Sequence, residues 1–313
     1  MIFIIFGFFV SYFLTLIFLK YFIDYQKRKK IGQTIRKEGP DLHSHKEGTP
    51  TGGGLIFIPV SLSVALIISL TFHYYENLIP ISAGILFSII GLFDDLKKIR
   101  EKDSKGMSAS AKLLLQFSFA ILIVVIIQFY YPHTYLVIPF TLNKWDIGFF
   151  YYIISAVVIV GMSNAFNLSD GSDGLSGSLF IVSLLPLVIL NMNTILLLSI
   201  FGSLLAFLLY NWNPAKIFMG DVGSLSLGAI IGVIFATKGM EIFILFFGLI
   251  FLIEMFSVIL QVSFFKLTGK RIFKMSPIHH HFHMLNWKEG KIVILFSTVA
   301  VFGSLLGLIA WKV

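Results

Sequence analysis

The chain has no cysteine, which excludes disulfides and thiolate-ligated metals. Charge is scarce as well: Asp, Glu, Lys and Arg make up 13% of its 313 residues, against about a quarter in an ordinary soluble domain. Acidic residues are the scarcest charged class, 16 against 24 basic, so the net charge is +8 and each carboxylate carries information. What fills the space is apolar: 57% of residues are hydrophobic and the mean hydropathy is +0.90. A soluble core cannot hide that much apolar surface, so the bilayer is expected to be the main solvent. The basic excess does not indicate a nucleic-acid partner, because the Lys and Arg residues sit between apolar runs and form no separate basic domain.

Taking charges and Pro, Gly and Asn breaks as boundaries, ten helices are expected, at 1–23, 53–72, 78–93, 112–130, 147–166, 177–190, 194–210, 223–237, 241–265 and 291–311. The first is too long for the apolar region of a signal peptide and lacks a small-residue cleavage site, so it reads as a span. No repeat or linker divides the chain, and residues 1–313 read as a single polytopic domain. Ten spans leave nine loops on alternating sides. Seven basic residues fall in the first loop, six in the third, one in the seventh and six in the ninth, 20 of the 24, whereas the even loops hold only Lys144 and Lys238. The positive-inside rule then makes the odd loops cytoplasmic and both termini extracytoplasmic.

The polar clusters follow the same partition. Asp94 and Asp95 end the third apolar run, where two adjacent carboxylates repel unless a cation or proton offsets them. Mg²⁺ suits an all-oxygen site that shares ligands with substrate phosphates, although a charged helix end explains the pair as well. Asn167, Asp170 and Asp173 are spaced i, i+3, i+6 and read as three polar groups facing one ligand. In Phe218-Met-Gly-Asp-Val-Gly-Ser224, Asp221 stands between glycines before a new span, and Gly220 and Gly223 would let backbone approach a phosphate near a helix N-terminus. A Gly-Asp turn capping a helix is the plainer alternative. His279, His280, His281 and His283 follow Lys270, Arg271 and Lys274, a set suited to binding a diphosphate. Lys46-Glu-Gly-Thr-Pro-Thr-Gly-Gly-Gly54 offers a lysine and hydroxyls beside glycines, and is a phosphate contact only in company with the other clusters. Glu254, well inside a span, is as readily explained by a hydrogen bond to Gln261 or another helix as by function.

In this order, Gly48-Thr-Pro-Thr-Gly-Gly-Gly54, Phe93-Asp-Asp95, Asn164-Ala-Phe-Asn-Leu-Ser-Asp-Gly-Ser-Asp-Gly-Leu175, Phe218-Met-Gly-Asp-Val-Gly-Ser224 and Lys274-Met-Ser-Pro-Ile-His-His-His281 resemble the motifs of the polyprenyl-phosphate sugar-1-phosphate transferases. The likeness spans essentially the whole chain. Its triple histidine points to the branch whose donor is UDP-N-acetylmuramoyl-pentapeptide, the alternative being an N-acetylglucosamine phosphate transferase. The resemblance implies an all-α integral membrane protein of about ten spans in the bacterial cytoplasmic membrane, with a cytoplasmic Mg²⁺-dependent site and undecaprenyl phosphate as acceptor. It leaves room for a homodimer.

By the same resemblance Asp221 is the metal ligand, and Asp94, Asp95, Asp221 and His279 are the catalytic candidates. Lys46, Thr51, Asn167, Asp170, Asp173, Phe218 and Gln261 would contact the uridine or amides, with Phe218 stacking on the base. His279, His280 and His281 would meet the diphosphate or sugar, and Lys98 and Lys112 would hold the acceptor phosphate. Asp94 would deprotonate or orient that phosphate; an aspartyl nucleophile in a two-step route is the alternative. The chain departs from the usual pattern at Gly53, Ser172 and His283, where Met, Leu and Glu are customary. Two other classes fit less well. An intramembrane aspartyl protease needs a Gly where Phe218 stands, and a secondary transporter places its polar groups near the midplane rather than at one surface.

Overall fold

A chain in hydrocarbon must satisfy every backbone N–H and C=O internally, and long apolar runs do so as helices. A computed structural model of the protein describes residues 2–29, 32, 48–101 and 106–312. Twelve α-helices run through them: α1 (Ile2–Lys29), α2 (Gly54–Thr71), α3 (Leu78–Glu101), α4 (Ala109–Tyr130), α5 (Phe150–Ser169), α6 (Leu175–Ile189), α7 (Thr194–Asn211), α8 (Asp221–Ala236), α9 (Ile244–Phe247), α10 (Leu249–Thr268), α11 (Ile278–His283) and α12 (Glu289–Lys312). Eight of these helical stretches, those containing α1 to α5, α7, α10 and α12, are long and apolar enough to cross a membrane. Their outward faces carry Phe129, Leu267 and Ile294, all exposed, as lipid contact requires.

Each of the ten expected segments holds a helix, but α6 and α8 have 15 and 16 residues. At 1.5 Å per residue they reach only about 22–24 Å, short of the roughly 30 Å of hydrocarbon. All 16 residues of α8 are buried, and it packs against α3 on one side and α5 on the other. Close approach makes this packing work. A Cβ on Gly91 of α3 would lie 2.3 Å from the backbone oxygen of Asp221, so only glycine lets the two helices meet there.

Two expectations need correction. The third helix does not stop at residue 93: α3 continues to Glu101, because Lys97 and Lys98 lie one turn beyond Phe93 and Asp94 and pair Asp94 and Glu101 within the helix. The segment at 241–265 is broken into a 3-10 turn (Glu241–Phe243), α9 and α10, with Gly248 at the second break. The loop between α4 and α5, about which no expectation was drawn from sequence, forms a two-stranded hairpin, β1 (Tyr135–Val137) antiparallel to β2 (Lys144–Asp146). The hairpin is anchored from outside itself, Val137 N donating to Gly239 O at 2.7 Å and Phe140 N to Ala310 O at 2.8 Å.

Candidate active site

The C-terminal turns of α3 and α5 and the N-terminal ends of α2, α4 and α8 meet at one end of the bundle. Asp94, Asp95 and Asp221 each place a carboxylate oxygen within 4.8 Å of the others, forming a cluster of three metal-ligating side chains among the described residues. Two ammonium groups bind it together. Lys98, one turn past Asp94, lies 2.6 Å from Asp94 Oδ2, 3.2 Å from Asp221 Oδ2 and 3.8 Å from Asp95 Oδ1. Lys112, from the first turn of α4, lies 2.5 Å from Asp221 Oδ2 and 3.9 Å from Asp94 Oδ1.

Three carboxylates against two ammoniums leave one formal negative charge. Such a group is tolerated out of water only when its members are paired and hydrogen-bonded. The remaining acceptors are met accordingly: Met107 N donates to Asp94 at 2.9 Å, Val222 N to Asp95 at 3.3 Å, and Asn167 Nδ2 to Asp221 at 3.0 Å. Lys98 keeps 31% of its side chain exposed, so the cluster opens to solvent on that side. An all-oxygen donor set without cysteine or histidine suits magnesium better than zinc.

The glycine-rich segment sits beside it. Gly53 N and Gly54 N donate to Phe218 O and Met219 O at 2.8 and 2.9 Å, and Phe218 N donates back to Pro50 O at 2.9 Å. Gly52 is thereby held against Gly220, and Gln26 at the end of α1 clasps the backbone of Thr51 from both sides, through Nε2 to Thr51 O (2.8 Å) and Oε1 from Thr51 N (3.1 Å). Phe218 is half-buried in the strand of backbone leading to Asp221. Lys46 lies outside the described residues.

The structure gives Asn167, Asp170 and Asp173 separate protein partners. Asn167 is still helical and turns to Asp221 and to Ser224 Oγ at 2.7 Å. Asp170 accepts from Ser176 Oγ at 2.6 Å, and Asp173 accepts from Asn213 Nδ2 and Ala215 N at 3.2 and 2.9 Å. The i, i+3, i+6 spacing assumes one continuous surface, whereas α5 ends at Ser169 and the chain turns sharply into α6. Gln261 likewise binds backbone, accepting from Ile272 N and Phe273 N at 3.1 and 2.9 Å and donating to Phe273 O at 3.2 Å. Of the two structural partners expected for Glu254, Gln261 or another helix, the structure shows the second: its Oε1 lies 3.1 Å from His279 Nδ1 of α11.

Three of the four histidines, His279, His280 and His283, lie together, with ring centres 4.1 to 6.3 Å apart. The rings of His279 and His280 lie with centres 4.1 Å apart and planes tilted by 52° beside Gly171, and His283 Nε2 lies 2.7 Å from Ser172 Oγ. His281 turns away, its Nδ1 accepting from Lys274 N at 3.1 Å.

Residues 77–239, the stretch that carries all three aspartates and both lysines, match the glycosyl transferase family 4 model. Over nearly full length the chain is 51% identical to the phospho-N-acetylmuramoyl-pentapeptide-transferase of Kosmotoga olearia, covering 97% of each chain. It is 45% identical to that of Petrotoga mobilis, covering 94% of this chain and 96% of the relative, and 40% identical to that of Staphylococcus aureus, covering 94% and 95%. The chain belongs to the phospho-N-acetylmuramoyl-pentapeptide-transferase family. Its fold as a multi-pass, predominantly helical membrane protein agrees with that membership.

Within this family member, the sequence did not announce the residues that hold the site from behind. Gln26, Ser224, Asn213 and Glu289, which accepts from Asp173 N at 2.8 Å, each lie far along the chain from their partners. Gln26 is a polar residue in the last turns of an apolar span, the one signal among them that a sequence reading could have used.

Proposed function

We propose that the chain transfers the phospho-N-acetylmuramoyl-pentapeptide group from its UDP-activated donor to undecaprenyl phosphate, releasing UMP. An oxygen of the lipid phosphate attacks the sugar-linked phosphorus, the bond to the UMP oxygen breaks, and a lipid-linked pyrophosphate forms. The observation that carries this reading is the Asp94, Asp95 and Asp221 cluster bridged by Lys98 and Lys112. Phosphoryl transfer asks a protein for positioning and charge neutralisation more than for covalent chemistry.

Asp221, with Asp94 and Asp95 beside it, would hold a magnesium ion, whose contribution when bound is to neutralise the donor diphosphate. Lys98 and Lys112, already within reach of Asp94 and Asp221, would pivot onto the acceptor phosphate and bring it to the cluster. Asp94, anchored by Met107 N, would orient that phosphate or take its proton. A carboxylate already engaged by Lys98 at 2.6 Å and by a backbone amide is a poor nucleophile, which favours direct transfer over an aspartyl intermediate. A trapped aspartyl-phosphate-sugar species would overturn the direct route.

The same reading puts ten spans in the bacterial cytoplasmic membrane, counts α6 and α8 as short spans, and turns the carboxylate end to the cytosol, where the nucleotide donor resides. The basic loops support that orientation. Purified protein given undecaprenyl phosphate and either UDP-N-acetylmuramoyl-pentapeptide or UDP-N-acetylglucosamine tests the donor. Lipid product from the first alone is expected, with none from Asp221→Ala; product from the second alone would overturn the assignment.

A further inference from the structure

Glu254 takes no part in the carboxylate cluster. It lies in the interior of α10, where an ionisable side chain is costly and is kept for a partner. That partner is His279: Oε1 of Glu254 stands 3.1 Å from Nδ1, and both side chains are 0% exposed. The backbone N–H groups of Ile278 and His279, at the start of α11, lie against the same carboxyl. On its far edge the imidazole meets the loop between α5 and α6, where a Cβ on Gly171 would fall 2.3 Å from Nε2. That loop begins just after Asn167, which is bonded to Asp221. The ring is therefore gripped on one edge by a membrane-embedded carboxyl and turned on the other toward backbone that leads into the cluster.

We infer that Glu254 is a positioning residue for the transfer: its carboxylate accepts the Nδ1 hydrogen of His279 and so fixes the tautomer and pitch of the ring, presenting Nε2 to the loop at Asp170–Gly174. The hydrogen bond at one ring nitrogen decides what the other can do, and a carboxylate on Nδ1 leaves Nε2 as the working atom. The contact of Ser172 with His283, 2.7 Å long, ties the same loop to α11 independently, so altering Glu254 does not by itself release the helix.

The variant Glu254→Gln tests this. Two backbone N–H groups already compete for its single carbonyl oxygen, so its amide NH₂ would face Nδ1 and invert the tautomer. In ¹⁵N-histidine-labelled protein in detergent, the His279 resonance, identified by its loss in His279→Gln, is expected to show a protonated Nδ1 in the parent chain and an unprotonated Nδ1 in Glu254→Gln. UMP release is expected to fall about tenfold in kcat, with KM for undecaprenyl phosphate unchanged, and Glu254→Gln added to His279→Gln is expected to cost nothing further. An unprotonated Nδ1 in the parent, a tautomer indifferent to Glu254→Gln, or losses that multiply in the double variant would each overturn the inference. The inference shares the proposed transfer reaction in its kinetic arm only; if no donor yields UMP that reaction fails, while the resonance still decides the role of Glu254.

Discussion

Asp221 is where the electrostatics of the site converge, since Lys98, Lys112 and Asn167 all reach its two oxygens. Asp221→Asn keeps an acceptor for Asn167 but removes the charge that both lysines share. Its turnover is expected to drop by roughly 10²–10³-fold, the usual cost of removing one preorganised electrostatic group, measured as UMP release from protein whose melting profile is unchanged. Chelation makes the companion case: EDTA should bring the parent chain to background and added Mg²⁺ restore it, while Asp221→Asn should stay inactive at the same Mg²⁺ concentration. Retained activity in EDTA would remove magnesium from the mechanism.

The helices show what sets this geometry. Gly91 brings the backbone of α3 against the first residue of α8, and that contact places Asp94 and Asp95 beside Asp221. Gly91→Leu should drive the two helices apart, lowering stability by about 1–3 kcal/mol as overpacking does and abolishing transfer. Gly161 of α5, where an added methyl would meet no neighbouring atom within 4 Å, is the control. Gly161→Ala should leave activity intact and slightly raise the melting temperature, since Gly in a helix interior costs up to about 1 kcal/mol against Ala. Elements of this kind were largely legible beforehand. Apolar runs between charges located the spans, and the clustering of Asp94, Asp95 and Asp221 with Lys98 and Lys112 followed from their shared side. The end of α3 was misplaced because Asp94-Asp95 looks like a water boundary until Lys98 supplies a partner one turn on, and the backbone partners of Asp173 and Gln261 at Ala215 and Phe273 were not legible because they become neighbours only on folding.

For the molecule as a whole, the lack of cysteine becomes an instrument. Asn143→Cys in the exposed hairpin turn and Ser110→Cys, exposed at the start of α4, lie at opposite ends of the bundle. An impermeant maleimide applied to intact cells should label the first, and the second only after permeabilisation; the reverse pattern would invert the proposed orientation. The hairpin end also carries a titrating group outside the eight spans. Glu241 is buried, and burial pushes its carboxyl from 4.5 up to about 7, against the opposing hydrogen bond from Ser155. Because the folded state holds this proton more tightly than the unfolded chain, the stability it contributes is complete below 4.5 and is lost as pH rises through about 7. The melting temperature in detergent should therefore fall as pH rises between those values, and Glu241→Gln should flatten the dependence; an unchanged slope would exclude Glu241 as its source.

The complete enclosure of α8 has a consequence for how the protein is made. A segment with no lipid-facing side is poorly suited to leave the insertion machinery alone and wait in the bilayer. Its packing partners α3 and α5 supply the surroundings that lipid cannot, so Asp221 meets Asp94 and Asp95 only once all three helices are together.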